Sequence, residues 1–226
     1  MCINFRISAL CLLLSLFFLN AHAQNGFQKA TIIDNKNDTI EGFVKFEDWY
    51  ANSSFIVFKK TLNSEKKTLL PTQIKSFRVN NELYEAHTVK LQEDLKEKMD
   101  EQPLMGFKVS NDTTIFLCCL AKGSWRLYSH SIGEIGDDNF AFYMRQEDSD
   151  TLELLQYRRF ARVQQGELRV GTKAIYKSQL WLHFSDYPKL RKKIEKAEYK
   201  TADIQAVVMA YNRQHTRHIQ YAHQQT

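Results

Sequence analysis

Between Phe27 and Tyr157 apolar residues keep returning at alternate positions, and short segments rich in Asn, Asp and Gly interrupt them. A chain with this rhythm hides one side of each segment only by pairing the segments into a sheet. In "TIEGFVKF", Ile40, Val44 and Phe46 share one side with Gly42, while Thr39, Glu41 and Lys45 share the other and Phe43 breaks the alternation. The turn-forming residues 35–38, "NKND", join this strand to the preceding "ATIID" as a hairpin. "SFIVFKK" and "KKTLL" flank "TLNSE" as a second hairpin, which Pro71 ends or places at an edge. "QIKSFRV" and "ELYEAHTVKL" flank Asn80-Asn81 as a third. "LMGFKVS", "TTIFLCCLA", "SWRLYSH" and "FAFYMRQ" follow as strands, connected by Asn111-Asp112, Lys122-Gly123 and "SIGEIGDDN", and "TLELLQY" is the last strand. Residues 92–103 are strongly polar and read as an exposed loop or a short solvated helix.

The periodicity changes after residues 164–173, "QQGELRVGTK", which read as a linker. Residues 174–184 fit a helix or a strand. A helix starts at Pro188, a favoured first-turn residue, with Leu190, Ile194 and Ala197 on one face. Another is capped by Thr201, with Ile204, Val207, Val208 and Tyr211 at helical spacing. The expected fold class is α+β, mainly β: an antiparallel strand-rich module over residues 24–165, a helical C-terminal segment over 166–214 packed on it, and a polar tail over 215–226.

The first residues, "MCINFRISALCLLLSLFFLNAHAQNG", carry Arg6, an apolar run from Ile7 to Leu19, and small Ala21 and Ala23 before Gln24. This is the layout of a secretory signal peptide over residues 1–23. The apolar run is shorter than the ~20 residues a spanning helix needs, and Cys11 lies inside the run rather than at its end, where a lipid-attachment cysteine would sit. Cleavage would leave 30 basic against 26 acidic residues, because residues 1–23 contain one of the 31 basic residues and no acid. That mild, mixed charge lacks the basic footprint of a nucleic-acid binder. The expected location is the periplasm or the outer membrane.

Two of the four cysteines, Cys118 and Cys119, are adjacent. In a strand they point to opposite faces, Cys119 with Ile115 and Leu117, Cys118 with Phe116 and Leu120. Apolar residues on both sides mark a central strand, so buried thiols are the expected state. A disulfide between neighbours would distort the peptide joining them. His215 and His218 would share a helix face, with His223 further round, and these three are the metal candidates. His87, His130 and His183 are isolated in the sequence. The stretch Lys189, Arg191, Lys192, Lys193 and Lys196 could touch anionic lipid, although Glu195 and Glu198 interrupt it and a solvated face is the simpler expectation. Asp38-Thr39-Ile40, Asp112-Thr113-Thr114 and Asp150-Thr151-Leu152 resemble the O-glycosylation acceptor motif of exported Bacteroidota proteins; the same pattern also starts strands. No nucleophile elbow, phosphate-cradling glycine loop, dinucleotide fingerprint or C-x-x-C is present.

Taken together, "KATIIDNKNDTIEGFVKFEDW", "FIVFKK", "LLPTQIKSFRV", "FLCCLAKGSWRLY" and the late "YNRQ" resemble a group of uncharacterised exported proteins of Bacteroidota. The resemblance implies a signal peptide, a strand-rich module and a helical segment ending near a Tyr-Asn pair. Some members carry a following outer-membrane β-barrel, and none is expected here, since the sequence stops at Thr226. The group has no assigned catalytic residues to carry over, and no cofactor is expected. The expected function is a non-catalytic binding or assembly module of the cell envelope, with an envelope or outer-membrane protein as partner. The alternative is a periplasmic hydrolase or metal-dependent enzyme with dispersed site residues.

Overall fold

The structure is a computed structural model that describes residues 26–45, 54–93, 108–131, 140–164 and 167–223, with side chains described in these except at 91–93, 108–111, 158–170 and 217–223. The signal-peptide reading of residues 1–23 lies outside the described residues. Among the described residues twelve strands come first: β1 (Phe27–Asp34), β2 (Thr39–Lys45), β3 (Ile56–Lys59), β4 (Lys67–Leu69), β5 (Ile74–Val79), β6 (Glu82–Glu93), β7 (Lys108–Ala121), β8 (Trp125–Ser131), β9 (Phe140–Gln146), β10 (Glu153–Leu155), β11 (Arg158–Gln164) and β12 (Glu167–Lys173). Three helices follow: α1 (Ile175–His183), α2 (Arg191–Lys196, entered through a 3-10 turn at Pro188–Leu190) and α3 (Thr201–His223). The fold is α+β and mainly antiparallel β. Ten strands form one sheet in the order β10-β9-β8-β7-β6-β5-β1-β2-β3-β4, and β11 pairs with β12.

Turn chemistry sets the registers. Asp34 Oδ1 accepts the backbone N–H groups of Lys36 and Asp38, each at 2.8 Å, and Asn37 takes φ 69°. Asn80 and Asn81 take φ 49° and 66°, and Val79 pairs with Glu82 across them. Two left-handed residues make the tight turn whose twist matches that of a hairpin. Gly42 is required by packing: a Cβ there would lie 2.5 Å from the Lys59 carbonyl oxygen and 2.2 Å from the Phe58 ring.

Paired residues share a face, so the register sorts the side chains of the whole sheet. Most of the buried apolar side chains lie on the front face, which also carries the buried Ser129. Over β1 to β7 it buries Ala30, Ile32, Val44, Ile56, Phe77 and Phe116. Over β7 to β10 it buries Leu127, Phe142, Met144 and Leu155 against the helices, which contribute Tyr176, Leu180 and Phe184 from α1 and its end, Leu190 and Ile194 around α2, and Ile204, Val207 and Val208 from α3. On the back face a buried apolar cluster lies over β6 to β10, formed by Val89, Ile115, Leu117, Tyr128, Ala141 and Tyr143. The two-sided burial expected of "IFLCCL" is therefore found: Ile115, Leu117 and Cys119 pack on the back, Phe116, Cys118 and Leu120 on the front.

Several boundaries differ from the sequence reading. Asn111-Asp112 is not a turn; β7 runs through it, paired with β6 as far as Glu93↔Lys108. Residues 164–173 are not a linker; β12 occupies Glu167–Lys173, in register with β11 across Gln165-Gly166. The helical segment thus begins at Ile175 rather than 166, and residues 174–184 resolve as helix. The helix α3 extends to His223, so most of the stretch read as a polar tail has helical backbone. Ile204 N–H donates to the Lys200 carbonyl, which makes Lys200 the cap and Thr201 the first helical residue.

Candidate functional site

The described helices pack on the front face at its β7–β10 end. At the other end a cavity of about 760 Å3 opens over β1 to β5. Each of those strands supplies one apolar residue to it: Ile40 and Leu69 are half-buried and face the opening, and Ile32, Phe58 and Ile74 lie buried beneath them. Alternation places them there, since each sits on the same face as its cross-strand partner; Ile32 pairs with Ile40 and Val44 with Phe58. The rim carries Lys60, Ser64 and Glu65 from the β3–β4 loop, with Lys67, Asp34 and Gln73. The volume falls within the ~300–1,000 Å3 usual for small-molecule sites. No histidine or cysteine is among its described lining residues.

A second polar constellation occupies the back face. Glu85 of β6 accepts from Tyr128 Oη at 2.7 Å and pairs with Arg126 at 3.2 Å, Lys122 at 3.6 Å and His87 at 3.6 Å. Burial alone would raise its pKa, but the neighbouring His87 and Tyr128 and the charges of Arg126 and Lys122 outweigh burial and bring it down to about 2. A carboxylate so fully supplied with donors is a weak base. Arg126 also forks onto Glu147, tying β8 to the β9–β10 turn. The constellation clamps three strands together across the back of the sheet.

The cysteines are free and half-buried. Burial pushes the Cys118 thiol up to about 12 and the Cys119 thiol up to about 11, the latter with help from the Glu85 charge. Both are thiols at neutral pH and poor nucleophiles. The histidines are not brought together. His87 is on β6 and His130 on β8, where burial pulls its pKa down to about 4. His183 on α1 has Nε2 2.6 Å from Glu153 Oε2, joining α1 to the edge strand β10, and its ring lies tilted against Trp125 with centroids 4.6 Å apart. His215 lies edge-on to Tyr211. His218 and His223 fall on α3 backbone, their side chains outside the described residues. Among the described residues no three His, Cys, Asp or Glu side chains converge as a metal site. Lys189, Arg191, Lys192, Lys193 and Lys196 are exposed, and Arg191 is engaged by Glu195 at 3.0 Å and by the Trp181 ring. No helix among the described residues is long and apolar enough to cross a membrane.

One interaction was invisible in the sequence. Asn212 of α3, 6% exposed, inserts its amide into the gap beside Trp125 at the start of β8. Its Oδ1 accepts Trp125 N–H at 3.0 Å and Ser124 Oγ at 3.1 Å; its Nδ2 donates to Trp125 O at 2.8 Å and Lys122 O at 3.3 Å. The register of β7 slips between Cys119 and Ala121, and Ala121 pairs with Leu127, so the side-chain amide takes the place of a strand neighbour for Trp125. The Tyr-Asn pair of "YNRQ" is the only hint the sequence offers. No family model, no curated protein and no solved structure matches this chain.

Proposed function

We propose that this chain is a non-catalytic binding module of the bacterial cell envelope, exported by its N-terminal segment and working in the periplasm or at the outer membrane. The observation that carries the reading is the cavity over β1 to β5, with an apolar floor, a rim of a few charged and polar side chains, and no histidine or cysteine among its described lining residues. Such a surface gains affinity by burying apolar atoms and orients its ligand with a few rim charges. The alternative, a periplasmic hydrolase or metal-dependent enzyme, draws less support, because the four histidines with described side chains sit on four different elements. The test is to crosslink a C-terminally tagged copy in its native envelope and identify by mass spectrometry what is retained, protein or small molecule. A stoichiometric companion is the expected result. A clean monomer that brings neither protein nor lipid with it would overturn the reading.

A further inference from the structure

The rim of the cavity itself carries two lysines, Lys60 and Lys67, and two acids, Asp34 and Glu65; the excess of positive charge lies in the hairpin beside it. The β3–β4 hairpin that frames it reads "KKTLNSEKK", with Lys59, Lys60, Lys66 and Lys67 against the single acid Glu65. Lys59 is already used: its Nζ donates to the Leu62 carbonyl at 2.8 Å and lies over the Phe27 ring. Lys60 and Lys67 line the opening and form no ion pair with a described residue. The second rim acid, Asp34, has its Oδ1 occupied by two backbone N–H groups. An apolar floor under two available ammonium groups is complementary to a molecule with one apolar tail and an anionic head. We propose that the cavity binds a single linear acyl chain, tail on the Ile32–Ile40–Phe58–Leu69–Ile74 floor, with a carboxylate or phosphate head at Lys60 and Lys67. The proposal rests on the binding-module reading and names its ligand class. Counting each methylene at about the ~30 Å3 of a liquid water, a sixteen-carbon chain needs roughly 480 Å3, which fits inside the cavity's 760 Å3.

The probe is cis-parinaric acid, a fluorescent eighteen-carbon carboxylate, titrated into the full purified chain and displaced by saturated carboxylates of increasing length. One saturable site is expected, with affinity rising about fourfold per added methylene until the floor is covered. Leu69→Trp fills the cavity and should weaken binding at least tenfold; Ile40→Trp does the same from the opposite wall if the first variant melts early. The double variant Lys60→Glu/Lys67→Glu should weaken the carboxylate about tenfold and leave the neutral methyl ester within twofold. Absence of saturable binding would overturn the proposal, as would unchanged affinity in both folded tryptophan variants, or equal loss for acid and ester in the lysine variant. Binding only to vesicles of anionic phospholipid, unaffected by Leu69→Trp, would also overturn it and identify the hairpin as a surface contact. A protein companion in the crosslinking experiment beside a failed parinarate titration would leave the binding-module reading standing and remove the acyl ligand alone.

Discussion

Replacing Asn212 with Ala removes four hydrogen bonds at once, and two of them serve Trp125 alone. Trp125 is 7% exposed, so its N–H and C=O gain little from water when the amide is gone. Leaving a buried backbone group unsatisfied costs about 1–3 kcal/mol, and Ser124 Oγ and Lys122 O, nearer the turn, add less because solvent can reach them. The expected loss is therefore about 3–5 kcal/mol, a large share of a typical domain's stability. The assay is chemical unfolding in urea, with Met209→Ala as control: Met209 lies one turn earlier on α3, 42% exposed, and should shift stability by no more than about 0.5 kcal/mol. Asn212→Asp sharpens the test. It keeps the acceptor but sets an oxygen against the carbonyls of Trp125 and Lys122, so it should cost at least as much as Ala. A Cβ on Gly123 would lie 2.6 Å from Asn212 Cγ, and Gly123 holds φ 151°. Gly123→Ala should therefore be strongly destabilising in the parent and less so in the Asn212→Ala background. A loss below about 1 kcal/mol for Asn212→Ala at unchanged unfolding slope would refute the idea that an amide stands in for a strand neighbour.

Three further outcomes follow from other contacts. Glu85 has a folded pKa of about 2 against an ordinary 4.5, so its contribution is complete above pH 4.5 and is lost as pH falls toward 2; that is worth about 3 kcal/mol, and Glu85→Gln should flatten the acid limb of a stability-against-pH curve, whereas an unaltered limb would refute the assignment. With Cys118 and Cys119 half-buried and their pKa values raised to about 12 and about 11, native chain at pH 8 should react with a maleimide far more slowly than urea-unfolded chain; equal rates would count against the buried placement. Gly42→Ala should cost about 1–3 kcal/mol in thermal or urea unfolding, because the Lys59 carbonyl oxygen blocks the added methyl; a neutral result would mean that β3 moves aside freely.

Much of the sheet was legible because its hairpins are local. "NKND" and Asn80-Asn81 dictate turns through residues that tolerate left-handed backbone, and the strands on either side pair as their alternation suggests. The helix faces through Leu190, Ile194 and Ala197 and through Ile204, Val207, Val208 and Tyr211 are buried as their spacing implies. Asn111-Asp112 misled because a turn composition also sits in a long strand when a partner such as β6 fixes the ladder. The β11–β12 hairpin was hidden by its polar residues and by the modest turn signal of Gln165-Gly166. The cavity, the Glu85 constellation and the Asn212 contact each join residues far apart in sequence, Asn212 and Trp125 being 87 positions apart. Alternation gives the side of a strand, not the identity of its neighbours, so these sites become visible only once the register between distant strands is known.

The sheet order places β1 between β2 and β5. The chain therefore lays down two separate ribbons, β2-to-β4 with β1 and β5-to-β10, and a single line of pairing from Ala30↔Val79 to Asp34↔Ile74 stitches them together. In a protein threaded through a membrane pore from its N-terminus, the first ribbon would emerge with the β1 edge bare. It would stay bare until Ile74–Val79 had also crossed. During that interval Ala30 and Ile32, later among the most deeply covered residues, would offer a ready docking line to any other extended segment nearby, including the same ribbon of a second copy. The stitch between β1 and β5 is thus the place where assembly errors, strand exchange between molecules and mechanical rupture should all begin.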